Sequence, residues 1–148
     1  MKLEDEGLSH GLPDRVVYST LSAKQKEIYN FQKVAALLAD HGFNCIKLAD
    51  DWKGADFLAY HKDGDQTLKV QLKGRTTIAK KYLGGGLHMA FPIRGEWHIV
   101  AHDVLVELCR GHTDWLKTAS WVDAGGYSSQ APGSALRAAL GPFKLGSD

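Results

Sequence analysis

The fold is decided by a β-hairpin predicted at residues 54–74, which read GADFLAYHKDGDQTLKVQLKG. Residues 56–61 and 67–74 are each predicted to form a short strand. The connection between them contains Asp63-Gly64, a pair typical of tight hairpin turns because glycine adopts positive φ at low cost. We therefore expect two neighbouring antiparallel strands at the centre of the fold.

The second of these strands has a regular alternation of apolar and polar side chains. Because successive strand residues point to opposite faces, one face carries apolar side chains and the other carries polar ones. The apolar face holds Leu68, Val70 and Leu72, and the polar face holds Lys69, Gln71 and Lys73.

Before the hairpin, residues 23–41 predict a helix. Ser22 and Gln25 have the spacing of a capping box, and Gly42 ends the helical pattern. The predicted buried stripe comprises Ile28, Phe31, Ala35 and Leu38.

Glu27 is an unusual feature of this helix. At helical spacing it projects into the predicted stripe, between Val34 and Leu38. A carboxylate on an apolar face is costly unless a positive group meets it. The alternative is that Glu27 is exposed to solvent because it lies in the first turns of the helix, and both explanations stay open.

Further elements flank the hairpin on both sides. A strand is predicted at residues 43–48, a second hairpin at 87–93 and 96–101 with its turn at Arg94-Gly95, and a helix at 103–110. Residues 76–86, TTIAKKYLGGG, are too short and too rich in glycine to predict a helix. The order predicts an α/β fold in which a helix packs on a mixed β-sheet, with a following β-hairpin and helix.

Three regions are expected along the chain. Residues 1–19 predict an N-terminal arm, 20–123 one compact domain, and 124–148 a tail with a short helix at 134–140. Docking of the tail on the sheet and a role as a flap that contacts substrate both stay open.

Composition excludes several classes of protein. The 148 residues carry 18 basic and 17 acidic side chains, a net charge of +1, whereas a dedicated nucleic-acid coat is usually far more basic. No run approaches the roughly 18 apolar residues of a membrane span, and the polar, acidic start predicts no secretory signal. Cys45 and Cys109 belong to no paired motif, which favours a cytoplasmic protein with reduced thiols.

Polar side chains converge where the hairpin strands meet. Asp56 opens the first strand, and the hairpin brings it beside the face that carries Gln71 and Lys73. Glu27 could supply a second carboxylate from the helix. Mg²⁺ prefers one or two carboxylates together with carbonyl oxygens and waters, and a lysine beside such an ion can position an attacking water.

These motifs resemble the PD-(D/E)XK nuclease superfamily. Gly54-Ala55-Asp56 is followed fifteen residues later by Gln71-Leu72-Lys73, and Glu27 matches the superfamily's upstream helical glutamate. The Gln-x-Lys form is most similar to a variant seen in some group I intron homing endonucleases.

The resemblance implies a restriction-endonuclease-like core and Mg²⁺- or Mn²⁺-dependent hydrolysis of phosphodiester bonds in DNA. It implies that Asp56, Gln71 and the carbonyl of Leu72 hold the metal, that Lys73 orients the water, and that Glu27 serves the same or a second metal. A homodimer is expected if both strands of a duplex are cut, because two strands need two sites.

The strip of residues 69–82 carries basic side chains and no acid, which suits contacts to phosphates. A solvated loop is the alternative interpretation. The candidate nucleic-acid contacts are Lys69, Arg75, Lys80 and Lys81.

The chain also departs from the superfamily's pattern. No proline precedes Asp56, Gln71 stands where an acid is usual, and no clear crossover helix follows Lys73. Asp56 could instead cap a loop, and Gln71 and Lys73 could be the solvated face of an ordinary strand. A catalytically inactive nucleic-acid-binding or protein-interaction module on the same fold is therefore the alternative function.

Overall fold

The computed structural model describes residues 11–146 and divides into two compact units, Met1–Asn30 and Phe31–Asp148. Residues 1–10 of the predicted arm, and the last two residues of the predicted tail, lie outside the described residues. The domain boundaries expected after residues 19 and 123 stay predictions.

The first unit contains the beginning of helix α1, which spans Ala23–Ala39. The predicted capping box is confirmed, because the Ser22 N–H donates to Gln25 Oε1 at 3.1 Å and the Gln25 N–H donates to Ser22 Oγ at 3.2 Å. Two amides that the helix itself leaves without acceptors are thereby satisfied.

The second unit holds a five-stranded mixed sheet in the order β1-β2-β3-β5-β6. Strand β3 pairs with β5 in parallel, and the other neighbours are antiparallel. The expected α/β class is confirmed, as are the mixed sheet and the hairpin and helix that follow it. The elements are β1 Phe43–Trp52, β2 Ala55–His61, β3 Thr67–Leu72, β4 Thr76–Ala79, β5 Leu87–Ile93, β6 Glu96–Ala101, α2 His102–His112, α3 Ala119–Val122, β7 Gly126–Ser129 and α4 Ser134–Ala139.

Both turns expected from Gly-containing pairs are present. Gly64 has a φ of 76°, and the Arg94-Gly95 turn has φ values of 53° and 78°. Within residues 11–146, no helix combines the length and the apolar character that a bilayer span requires.

The predicted stripe on α1 was wrong at its N-terminal end. Ile28 is 41% exposed, whereas Val34 and Leu38 are the buried residues of this helix. The side chain of Glu27 is half exposed, which agrees with the alternative of exposure in the first helical turns and not with a buried carboxylate. Helical periodicity identifies the apolar side of a helix, but it does not show how many of its turns are covered.

Two hydrophobic clusters form the core. In the first, the second half of α1 packs through Val34 and Leu38 against residues of β2 and β3 such as Phe57 and Val70. The second contains residues of β5, α2 and α4, and the α4 residue Leu136 within it is fully buried. The segment predicted as a tail therefore contributes to the core.

The connection between the parallel strands β3 and β5 is built without a crossover helix. Strand β4 pairs with β7, fifty residues further along the chain, and a 3-10 turn at Lys80–Tyr82 follows β4. The sequence predicted no element here, because β4 has only four residues and its partner is distant. The backbone polar groups of this connection are satisfied by a strand pairing that local patterns do not reveal.

A buried histidine holds this connection in place. His102 is 1% exposed, and its Nε2 accepts the N–H of Ala79 at 3.1 Å while its Nδ1–H donates to Asp103 Oδ1 at 3.1 Å. Asp103 Oδ2 in turn accepts the N–H of Gly84 at 3.0 Å. The start of α2 thus binds the connection at two points.

We expect the stability of the protein to depend on this histidine and on pH. Burial lowers the pKa of His102 below its ordinary value of 6.5, against the opposing effect of Asp103. The unfolded chain therefore takes up a proton at a higher pH, so stability is complete above about pH 6.5 and falls as the pH drops below it.

The measurement is urea unfolding near pH 7.5 and near pH 5.5. His102→Gln should cost about 1–3 kcal/mol at the higher pH and should reduce the loss on acidification. The variant should still lose some stability on acidification, because burial also lowers the pKa values of His88 and His98. The control is His112→Gln, an exposed position on the same helix. An equal pH dependence in both variants would contradict the assignment.

Candidate active site

Asp56 lies where the backbone pairing of β2 with β3 ends. The last paired residues are Phe57 and Val70, so Asp56 is the next residue along and faces Gln71. Its carboxylate Oδ2 accepts the N–H of Leu72 at 2.8 Å. A side chain thus takes over the role of the missing backbone acceptor and ties the two strands together at this point.

Gln71 presents a buried oxygen that the protein does not satisfy. The residue is 8% exposed, and its Oε1 has no hydrogen-bond donor within residues 11–146. A buried acceptor without a partner costs roughly 1–3 kcal/mol. An amide oxygen in this condition, beside the carboxylate of Asp56, is chemically suited to a cation.

Lys73 follows β3 directly and projects on the same side as Gln71. Its N–H donates to the carbonyl of Ala90 at 2.9 Å, which continues the parallel pairing with β5. The ammonium has no hydrogen bond or ion pair to any residue between 11 and 146. Lys73 lines a cleft of about 290 Å³, called here the Lys73 cleft, together with Thr77, Lys81, Tyr82, Ser120 and Ser128.

Tyr82 lines both this cleft and a second one, and the sequence analysis missed it. The second cleft, of about 260 Å³, is lined by Asp51, Lys53 and Lys81 as well as Tyr82. Burial raises the pKa of the Tyr82 phenol, with further contributions from the charges of Asp51 and Asp56. The available signal was an aromatic residue directly after the Lys80-Lys81 pair, at the end of the basic strip of residues 69–82.

Glu27 lies in the first unit, on the exposed first turns of α1. Its carboxylate approaches Lys24 Nζ at 3.7 Å. The role that the superfamily resemblance implies for Glu27 at a metal stays a prediction.

The four candidate nucleic-acid contacts have different surroundings. Lys69 Nζ donates to the carbonyl of Gly85 at 2.7 Å, and Lys80 Nζ donates to that of Val122 at 3.1 Å. Arg75 reaches only a long contact of 3.5 Å to the carbonyl of Ser128. Lys81 lies over the Tyr82 ring at 5.2 Å and lines both clefts. Lys81 is therefore the member of this set that the structure brings beside Lys73.

The residues present fit a divalent cation through oxygens of different kinds. Among residues 11–146, no three His, Cys, Asp or Glu side chains are grouped closely enough to hold a metal. The candidate ligands are instead the Asp56 carboxylate, the unsatisfied Gln71 oxygen and the Leu72 carbonyl. Carboxylate, amide and backbone oxygens are the donors that hard cations such as Mg²⁺ accept.

Comparisons with known proteins found weak structural similarity and no similarity at the level of sequence families. No protein-family model matches the chain, and no curated protein is detectably similar to it. The solved structure of a bacterial homing endonuclease is similar with a TM-score of 0.45 and 14% sequence identity, over 76% of this chain and 78% of the other. Because a TM-score below 0.5 is weak, we infer the function of this chain from its own residues.

Replacing the unsatisfied amide should stabilise the metal-free protein. Gln71→Met retains the length of the side chain and removes the buried acceptor, so we expect the free energy of unfolding to rise by about 1 kcal/mol. Thermal unfolding in excess chelator measures the change. Gln130→Met, at an exposed position, is the control and should show no such rise. A destabilised Gln71→Met variant would show that the amide oxygen is satisfied.

Proposed function

We propose that this protein is a metal-dependent endonuclease of the PD-(D/E)XK type that hydrolyses phosphodiester bonds in DNA. The observation that carries the proposal is the grouping of Asp56, Gln71 and Lys73 on one sheet face. It combines a carboxylate held by the Leu72 N–H at 2.8 Å, a buried amide oxygen without a donor in residues 11–146, and a lysine in an open cleft.

In this proposal Mg²⁺ or Mn²⁺ is held by Asp56, Gln71 and the Leu72 carbonyl. A divalent cation at such a site lowers the pKa of a bound water and stabilises negative charge on phosphate oxygens. The bond from the Leu72 N–H restricts rotation of the Asp56 carboxylate, and the partial burial of the residue limits competing water. Both effects prepare the ligand before any cation arrives.

Lys73 has the role of orienting the attacking water and countering the charge of the scissile phosphate. Because the ammonium has no internal ion pair within residues 11–146, its charge is available to a substrate. Lys81 supplies a second positive charge to the same cleft, which the hydroxyl-bearing residues Thr77, Ser120 and Ser128 also line. Cations with hydroxyl groups are the usual contacts of proteins to phosphate backbones.

DNA is the proposed substrate, and a homodimer is the proposed assembly when both strands of a duplex are cut. A cytoplasmic location is consistent with the two free cysteines, of which Cys109 is buried. Burial raises the pKa of Cys109 to about 12, so its thiol stays protonated and takes no part in catalysis.

One observation favours the alternative of an inactive binding module. Gln71 contributes no charge, so Asp56 is the single carboxylate among the proposed ligands of the second unit. Lower ligand charge weakens cation binding. A nucleic-acid-binding or protein-interaction module could therefore retain this fold without cleaving substrate.

A cleavage assay with Lys73→Ala tests the catalytic proposal. Supercoiled plasmid, linear duplex and branched oligonucleotides are incubated with Mg²⁺ or Mn²⁺, and the wild type should cleave at least one of them. We expect the variant to lose a hundredfold or more, on the order of the contribution of a positioned proton-transfer group.

The matched control is Lys62→Ala, which removes an exposed lysine from the β2–β3 turn. It should cleave like the wild type. Metal-independent cleavage, or full activity in Lys73→Ala, would refute the mechanism. Binding of nucleic acid without cleavage of any substrate would support the inactive module.

Two variants of Asp56 distinguish its structural role from its proposed role as a metal ligand. Asp56→Asn retains an oxygen that can accept the Leu72 N–H, so it should fold and lose cation binding together with cleavage. Asp56→Ala should additionally lose about 1–3 kcal/mol of stability, because the Leu72 amide is left without its acceptor.

Urea unfolding and titration with Mn²⁺ measure the two effects in parallel. Asn and Ala variants of equal stability would contradict the structural role assigned to the carboxylate. Unchanged Mn²⁺ affinity in Asp56→Asn would contradict its role as a ligand.

A further inference from the structure

A further basic cleft, called here the Arg94 cleft, lies at the turn between β5 and β6. It has a volume of about 280 Å³ and is lined by Arg94, Glu96, His98, Arg137, Gly141 and Lys144. None of these residues lines the Lys73 cleft. Ile93, at the end of β5, is about 13 Å along the strand from Met89, the partner of Gln71, at 3.3 Å per residue. The Arg94 cleft is therefore separate from the candidate active site at Asp56, Gln71 and Lys73.

The Arg94 cleft has an excess of positive charge. Arg94, Arg137 and Lys144 face one carboxylate, that of Glu96, which Lys144 Nζ contacts at 3.2 Å. Arg137 uses one N–H to donate to the carbonyl of Pro132 at 2.7 Å, and the guanidinium has further donors. Arg94 has no hydrogen bond or ion pair within the described part of the chain, residues 11–146.

The backbone conformation at Arg94 is strained for a residue that has a side chain. Its φ of 53° lies in the left-handed region, where glycine or asparagine fits with less strain. An arginine in this position extends a long cationic side chain from a rigid two-residue turn.

His98 adds a polar group to the cleft at a fixed orientation. It is 5% exposed, stacks on Phe91 with the ring centroids 5.9 Å apart, and donates its Nδ1–H to the carbonyl of Glu96 at 3.0 Å. Because a carbonyl only accepts, Nδ1 carries the proton, so Nε2 of the neutral ring is an acceptor and His98 shapes the cleft without donating to a phosphate oxygen. Burial lowers the pKa of His98, which retains the neutral form near pH 7.

From these features we infer that the Arg94 cleft binds a phosphate group. The guanidinium groups of the two arginines are planar donors that can bind two phosphate oxygens at once, and the lysine ammonium adds a compact positive charge. The excess of two positive charges matches a phosphate dianion. The phosphate comes either from a free phosphate compound or from a nucleic acid. The site does not depend on cleavage at Asp56.

Calorimetric titration of the full-length protein with inorganic phosphate, in chelator and at low salt, tests this inference. Arg94→Gly removes the charge and suits the positive φ, so it should fold at least as well as the wild type and weaken phosphate binding about tenfold. Lys53→Gly is the matched control, because Lys53 also has a φ of 53° and also precedes a glycine in a turn. It should change phosphate affinity less than twofold.

Glu96→Gln provides a test in the opposite direction. It removes the one carboxylate in the cleft and frees Lys144, so phosphate affinity should rise severalfold. Oligonucleotides with a 5′-phosphate or a 5′-hydroxyl then identify the source, since preference for the phosphorylated end indicates nucleic acid and binding of inorganic phosphate alone indicates a free compound. Absence of phosphate binding by the wild type, or equal weakening in Arg94→Gly and Lys53→Gly, would overturn the inference.

Discussion

The hydrogen bond from the Leu72 N–H to the carboxylate of Asp56 is the interaction on which the candidate site depends. Backbone pairing of β2 with β3 stops at Phe57 and Val70, and this 2.8 Å bond continues the contact by one further step. Because the acceptor is ionised, the bond is stronger than a neutral one. It orients the carboxylate beside Gln71 and keeps the strand ends together where Lys73 leaves the sheet. The same atoms therefore serve both the fold and the proposed chemistry.

The site also carries a local cost that the rest of the fold offsets. The Gln71 oxygen is buried without a donor in residues 11–146, while the surrounding strands are fixed by two hydrophobic clusters. A ligand that binds to this oxygen gains the full interaction, because the free-energy cost of removing the oxygen from water is already included in the folding of the protein. Preorganisation of this kind is how a neutral amide contributes to a cation site that contains few carboxylates.

The connection between β3 and β5 links the C-terminal segment to the site. Pairing of β4 with β7, and hydrogen bonds that His102 and Asp103 accept from backbone N–H groups, hold the segment that carries Lys81 and Tyr82. Residues of the C-terminal segment, such as Ser128, consequently line the Lys73 cleft. A change far along the chain, in β7 or at the start of α2, can alter the position of the second lysine without touching Asp56 or Lys73.

The sequence by itself determined the elements whose causes are local. The capping box of Ser22 and Gln25, the turns at Gly64 and Gly95, and the alternation along β3 depend on neighbouring residues, so pattern and spacing were sufficient to predict them. The same patterns also predict Asp56 beside Gln71. Only the tertiary structure decided the pairing of β4 with β7, the exposure of Glu27 and Ile28, and the place of Tyr82 in the lining of two clefts. These features arise from contacts between residues far apart in the chain, and the free energy of such contacts is not encoded in any local stretch.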